Sequence, residues 1–171
     1  IKGGMTDIAP GASITPEREE YALFSAPYRQ ETMALFVLKA NADKFSFTDF
    51  DGLKATDFKL GVTRGYYYGD QVQEVIDNKS GAVSLREATS DEQNIEKLLG
   101  NRLDGILLDP YVGTYLIKNQ GKLDQVMIHP APINSDNIYM MFSKKSVEAG
   151  DIDKFNTALE AIKSSGEYES I

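Results

Sequence analysis

Three short stretches of this sequence carry residues able to hold a small charged ligand. The first is Gly11-Ala12-Ser13-Ile14-Thr15-Pro16-Glu17-Arg18. Thr15 followed by Pro16 predicts a helix start, because a Thr side chain accepts from orphan amides and Pro lacks an N–H that would be wasted at the first helical position. Amides, a helix dipole and the fork of Arg18 would converge there, which suits a carboxylate, and Ser13 could add a hydroxyl donor. The same spacing equally allows Arg18 to pair with Glu17, Glu19 or Glu20 on an exposed first turn. The second stretch, Asn101-Arg102-Leu103-Asp104-Gly105-Ile106-Leu107-Leu108-Asp109-Pro110, delivers Asp109 to the carboxyl end of an apolar strand, the edge at which open α/β sheets bind ligands. A carboxylate there could hold an ammonium group, or could simply cap the helix that Pro110 begins. The third, Thr63-Arg64-Gly65-Tyr66-Tyr67-Tyr68-Gly69, is a strand-to-helix turn in which Gly65 frees the backbone for close approach. Three adjacent Tyr cannot all share one buried face, so at least one is expected to be exposed or to line a cavity. With Leu108, these rings predict a side-chain pocket suited to apolar or aromatic atoms rather than a second charge.

The elements that would position these residues alternate along the chain. Residues 59–63 read as a strand, and Val72, Val75 and Ile76 recur at helical spacing after it. Residues 82–88 form the next strand, which stops before Ser90, an N-cap with Gln93 three positions on as a capping box. Ile95, Leu98 and Leu99 give that helix its buried stripe, and Gly100 is expected as its left-handed stop. Strand 105–108, helix 110–118 and strand 125–128 follow. This order predicts parallel βαβ units with helices on both faces of a sheet. The flanks, strand-like at 7–13, 33–38 and 137–142 and helical through Ile152, Phe155, Leu159 and Ile162 up to Gly166, are expected to form a second lobe from both chain ends. The expected division is 1–39 with 133–171 as lobe 1 and 40–132 as lobe 2. Two crossings near 39–43 and 130–136 would act as a hinge.

Composition narrows the functional classes. The 171 residues carry 18 Lys and Arg against 26 Asp and Glu, a net charge of −8. Nucleic acid and anionic lipid need clustered basic residues, so neither is an expected partner. The apolar runs are far shorter than the ~20 residues of a membrane-spanning helix, and no direct membrane insertion is expected. The chain opens at Ile1 without a basic and apolar leader, so an export signal is expected to have been removed or never included. With no Cys, disulfides, thiolate metal sites and Cys nucleophiles are excluded, and a lone His129 in a Pro-rich segment builds no metal cluster. No metal, no cofactor and no catalytic residue is predicted.

Taken together, these stretches resemble the bacterial extracellular solute-binding proteins of family 3, which include periplasmic receptors for glutamine, histidine and lysine/arginine/ornithine. The resemblance rests on Asp7-Ile8-Ala9, on Ser13-Ile14-Thr15-Pro16-Glu17-Arg18 and on Phe24-Ser25-Ala26-Pro27-Tyr28 in the first lobe. Residues 50–53 with Gly61-Val62-Thr63-Arg64-Gly65, Asn101-Arg102-Leu103-Asp104-Gly105 through Asp109, and Tyr139 to Tyr168 complete it. It covers essentially the whole chain. The resemblance implies an α/β fold like the type II periplasmic binding proteins, two lobes with βαβ sheets joined by a two-strand hinge. It further implies that Arg18 binds the α-carboxylate of an amino acid with help from Ser13 and an amide near Tyr67. The Gly11 carbonyl and Asp109 would take the α-ammonium, with Tyr66 and Tyr67 beside them.

By the same resemblance the protein is periplasmic, is not an enzyme, and delivers its ligand to the membrane permease of an ABC transporter. A sensor input domain of a membrane signalling protein is the alternative, and a dehydratase-type enzyme on the same fold is a further one. Two departures stand out. Gly65-Tyr66-Tyr67 replaces a Gly followed by hydroxyl residues. The family also has strands and helices of lobe 1 ahead of the position at which this chain begins, so lobe 1 is expected to be incomplete and the chain to self-associate.

Overall fold

Apolar residues alternate in short runs, each run leads into a capped helix, and the result is an α/β structure. The computed structural model describes residues 1–78 and 81–170. In order, the elements are β1 (Ile8–Ala12), α1 (Pro16–Glu19), β2 (Ala22–Phe24), β3 (Arg29–Leu38), α2 (Phe50–Lys54), β4 (Lys59–Thr63), α3 (Asp70–Asn78) and β5 (Ser84–Ala88). They continue with α4 (Asp91–Leu99), β6 (Gly105–Leu108), α5 (Pro110–Asn119), β7 (Val126–Ile128), β8 (Asn134–Ser143) and α6 (Ala149–Ser165). The chain divides into two compact units, Ile1–Glu31 with Asp136–Ile171, and Thr32–Ser135.

In the unit of residues 32–135 the strands lie in the order β5-β4-β6-β3-β7. β4 runs parallel to β5 and β6, while β3 runs antiparallel to β6 and β7. Side chains two apart on a strand share a face, and this sheet is apolar on both. Leu35, Val37, Leu60, Val62 and Leu107 pack on one side with Phe50 and Leu53 of α2 and Val72 and Val75 of α3. Phe36, Ile106 and Leu108 pack on the other with Ile95 and Leu98 of α4 and Ile117 of α5. The 33–38 run, expected among the flanks, thus belongs to this sheet. It is apolar on both faces, and only a sheet covered by helices on each side buries both. The unit boundary falls at 31/32, inside β3, rather than at 39–43.

In the other unit, β8 is the middle strand, paired antiparallel with β1 (Ile8 opposite Phe142) and with β2 (Leu23 opposite Phe142). α6 covers it, with Phe155 edge-on to Phe142 at 5.7 Å and the Asn156 side chain accepting from the Ala26 amide at 2.7 Å. α6 ends at Gly166 in the left-handed conformation (φ 78°), as its sequence predicts.

Local signals differ from expectation in three places. Gly100 ends α4 with φ −84°, and the left-handed residue is Asn101 (φ 54°), since Gly100 still donates to the Glu96 carbonyl and the chain turns one residue later. Asn tolerates that conformation better than most residues. Ser90 caps α4 by accepting from the Gln93 amide, but the Gln93 side chain reaches back to Thr89 (3.3 Å to its N, 3.1 Å to its Oγ1) instead of to Ser90. α1 is a single turn, too short to sum a macrodipole of consequence.

Gly61, in the centre of β4, is where helix α4 and its following loop come closest to the sheet. A Cβ there would lie 2.6 Å from Leu103 Cδ1 and 2.9 Å from Ile106 Cγ2. Gly61→Ala is therefore expected to lower the unfolding free energy by ~1–3 kcal/mol, the range for overpacking a filled core. Urea denaturation beside the unaltered chain measures it.

Candidate ligand-binding site

The expected site residues fall in two groups, Gly11, Ser13 and Arg18 in one unit and Tyr66, Tyr67 and Asp109 in the other. Within the first, the group is held by a bulge and a turn. The pairing of β1 with β8 shifts between Ala9 and Ala12, and Gly11 in that bulge has φ 69° with open space where a Cβ would point. The Gly11 amide donates to the Tyr28 hydroxyl at 3.1 Å. Thr15 caps α1 by accepting from the Arg18 amide at 3.3 Å, with Pro16 at the first helical position as its type predicts. The Arg18 guanidinium folds back and donates through Nη1 to the Ser13 carbonyl at 2.9 Å. Ser13 thus serves Arg18 through its backbone, and Glu17 is engaged by Lys2 at 3.4 Å. Because α1 is a single turn, an anion here would meet the guanidinium rather than a helix dipole.

In the second unit, β4 and β6 are parallel neighbours, so residues after Thr63 and after Leu108 emerge at the same sheet edge. Asp109 is buried and caps α5, Oδ1 accepting from the Tyr111 amide at 2.8 Å and the Val112 amide at 2.9 Å. The capping reading of Asp109 therefore holds in the structure. These bonds also fix the orientation of its carboxylate at that edge. Leu108 points the other way, into the core with Phe36 and Ile117, and does not form a pocket wall.

The three Tyr separate by burial. Tyr66 is 51% exposed, Tyr67 is half-buried and donates to Asp70, and Tyr68 is 1% exposed. Gly65 takes φ 81° with open space at its Cβ position, and the Tyr66 amide donates to the Thr63 carbonyl at 3.2 Å to close the turn. The Thr63 amide donates to the Tyr68 hydroxyl at 2.6 Å. Around this turn lie three residues that spacing did not single out: Thr63 donates to Asp91 at 2.5 Å and accepts from Asn94 at 3.1 Å. The Ser90 cap placed Asp91 at a helix start, but nothing local marks it or Asn94 as buried. Tyr28 was legible only as part of the Phe24-Ser25-Ala26-Pro27-Tyr28 run.

His129 is buried in a structural role, stacked on Phe47 at 4.6 Å and accepting at Nδ1 from the Ala131 amide at 3.2 Å. Among the described residues no cluster of three His, Cys, Asp or Glu could hold a metal ion, and no helix is long and apolar enough to cross a membrane.

All 171 residues match the family described as bacterial extracellular solute-binding proteins, family 3. This chain belongs to that family. Among its relatives, the arginine-binding periplasmic protein of Mannheimia haemolytica is 29% identical over 94% of this chain and 62% of its own length. A solved structure of an ancestral arginine-binding protein bound to arginine is 25% identical, with TM-score 0.77, over 99% of this chain and 71% of that one. The ancestral amino acid-binding protein AncCDT-1, a precursor of cyclohexadienyl dehydratase, is 24% identical with TM-score 0.75, over 99% of this chain and 68% of that one. The fold is that of the type II periplasmic amino-acid-binding proteins. The chain spans 61–63% of the length of the curated family 3 relatives it matches.

Burial pushes the Tyr68 phenol up to about 12, against the pull of its bond from Thr63. A folded-state value above the ordinary ~10 means that the folded form holds the proton more tightly. The stability Tyr68 adds is then complete below pH ~10 and lost as pH rises through ~12, a change of ~2–3 kcal/mol. Alkaline unfolding followed by circular dichroism should show that decline, and Tyr68→Phe should flatten it. The same variant should cost ~1–3 kcal/mol near neutrality by leaving the Thr63 amide without its acceptor.

Proposed function

We propose that this family 3 chain binds an amino acid in the periplasm and, within the full protein, delivers it to the membrane permease of an ABC transporter. One observation carries the reading: a guanidinium and a carboxylate, each locked by backbone hydrogen bonds, are offered on separate units of a chain that crosses twice between them. One fixed cation and one fixed anion select a zwitterion. Arg18 takes the α-carboxylate through two parallel bonds, aided by Ser13 and by an amide of the turn at Tyr66 and Tyr67. Asp109 and the Gly11 carbonyl take the α-ammonium. The open space at Gly11 and at Gly65 supports close approach of a ligand to the backbone at both places. Capping and binding by Asp109 are compatible, since an ionised carboxylate has about four acceptor positions. Binding rather than catalysis is supported by the arginine-binding relatives.

Spacing alone points to an apolar or aromatic ligand side chain rather than a second charge, but the exposed ring of Tyr66 also suits the flat face of a guanidinium, which would gain a cation–π contact. Calorimetry of the full protein with arginine, histidine, glutamine, phenylalanine, leucine and glutamate identifies the ligand, and glutamate binding tightest would contradict the Tyr66 assignment. Arg18→Ala and Asp109→Asn should each weaken binding by ~2–5 kcal/mol, about 30-fold to several thousand-fold, because a desolvated ligand charge loses its partner. Arg18→Lys should lose most of the affinity too, since an ammonium cannot reproduce the two-pronged contact. Asn still caps helices well, so Asp109→Asn should leave the melting temperature nearly unchanged, separating lost charge from lost cap. Unchanged affinity in both variants would remove this site assignment.

β1 is an outer strand among the described residues, and an open strand edge recruits further strands. We therefore expect the 171-residue chain to self-associate through it, as measured by light scattering. A monodisperse monomer at all concentrations would show the edge to be adequately blunted by Pro10 and the bulge.

A further inference from the structure

Beneath the turn of residues 63–68, three polar side chains form one directed chain of hydrogen bonds, with Tyr66 facing its end. Asn94 Nδ2 donates to Thr63 Oγ1 at 3.1 Å and Thr63 Oγ1 donates to Asp91 Oδ1 at 2.5 Å, while the Tyr66 hydroxyl faces the same carboxylate and draws its pKa down. Thr63, Asp91 and Asn94 are all buried, whereas Tyr66 reaches the surface. The direction follows from the groups. An amide nitrogen only donates, and a hydroxyl that accepts from it has its single proton left for Asp91. An ionised carboxylate only accepts, so the chain runs from Asn94 to Asp91 when Asp91 is charged, while the buried Asn94 Oδ1 has no hydrogen-bond partner among the described residues.

For folding alone, this is a poor use of a buried position. Burial raises the Asp91 carboxyl above its usual value, the bonds from Thr63 and Tyr66 pull it back, and Glu92 beside it pushes it up. The other groups facing it are Tyr66 and Tyr68 from the turn and Asn94 from α4, while Arg64 pairs with Glu87 at 3.2 Å on the surface. A carboxyl held above its ordinary value contributes most to stability when protonated, and that contribution is lost as pH rises through its folded-state value. The charged form of Asp91 therefore costs folding free energy relative to the protonated one. What it supplies is a tie from the first turn of α4 to Thr63, where the Thr63-Arg64-Gly65-Tyr66 turn begins, with Tyr66 at its other end facing the same carboxylate.

We propose that Asp91 is a positioning residue of the ligand-binding turn, its carboxylate holding Thr63 and Tyr66 so that the turn offers its amides and the Tyr66 ring in a single geometry. This rests on the proposed function for the ligand step only, since the tie itself is a property of the unliganded chain. On protonation the carboxyl loses its charge, and its hold on Thr63 and Tyr66 weakens from charge-assisted to neutral. Ligand affinity should accordingly fall as Asp91 protonates.

The test compares the full protein with Asp91→Asn, which keeps the shape and one acceptor. Amide hydrogen exchange without ligand should quicken about five- to tenfold at residues 64–68, the effect of losing one hydrogen bond, with residues 95–99 of α4 unchanged and the melting temperature at pH ~7 equal or higher. Unaltered exchange in the turn, or equal loosening of α4, would overturn the proposal. Titration with L-arginine and L-phenylalanine gives the second readout. Whichever binds, Asp91→Asn should weaken it about five- to tenfold near pH 7, with the gap from wild type closing as pH falls and Asp91 protonates. A gap that is absent or independent of pH also overturns it. Arg18→Ala runs alongside: if it binds normally, the site assignment fails while the exchange result still decides the role of Asp91.

Discussion

Burial of both faces of β4 and β6 is the constraint from which the rest of this sheet edge follows. Gly61, Val62, Ile106 and Leu107 have no solvent-facing side, so helices must cover the sheet above and below. Covering both faces with parallel strands requires each strand to pass into a helix at one end of the sheet and return at the other. Thr63 and Asp109 therefore reach the same edge. Their placement is a consequence of apolar patterning several residues away, and the polar residues need only cap what the strands deliver.

Capping then decides orientation. Asp109 is held by two helix amides, Arg18 by the Ser13 carbonyl and by the Thr15 cap behind it, and the 63–68 turn by Tyr68 and Asp91. In each case a group that could bind a ligand is first tied to the backbone of its own unit. Such ties reduce the number of side-chain rotamers that binding must freeze, which is where preorganised sites gain affinity.

Much of this was legible in the residues. β4 and β6, the caps at Thr15, Ser90 and Asp109, and the Gly166 stop are all local features, set by side chains within four positions of where they act. The placement of residues 33–38 was not, because a run apolar on both faces fits a central strand of either unit until its partners are known. The left-handed residue at Asn101 rather than Gly100 depends on which carbonyl the turning amides find. The Thr63–Asp91–Asn94 cluster joins residues about 30 apart, and an Asp and an Asn on a helix of polar composition read as solvent-facing until the packing of α4 on β4 turns them inward.

The interleaving of the two units has a consequence for the order in which the chain can assemble on a ribosome. Residues 32–135 are contiguous, so β3 to β7, which pair among themselves, have all emerged once β7 has. β1 has no such access: its partner β8 pairs Ile8 with Phe142, and 142 − 8 is 134 residues of separation. At a synthesis rate of about 5–20 residues per second, the first strand waits roughly 7–27 seconds for its neighbour. Throughout that interval its N–H and C=O groups are without their β8 partners, while the inserted unit is free to fold to completion.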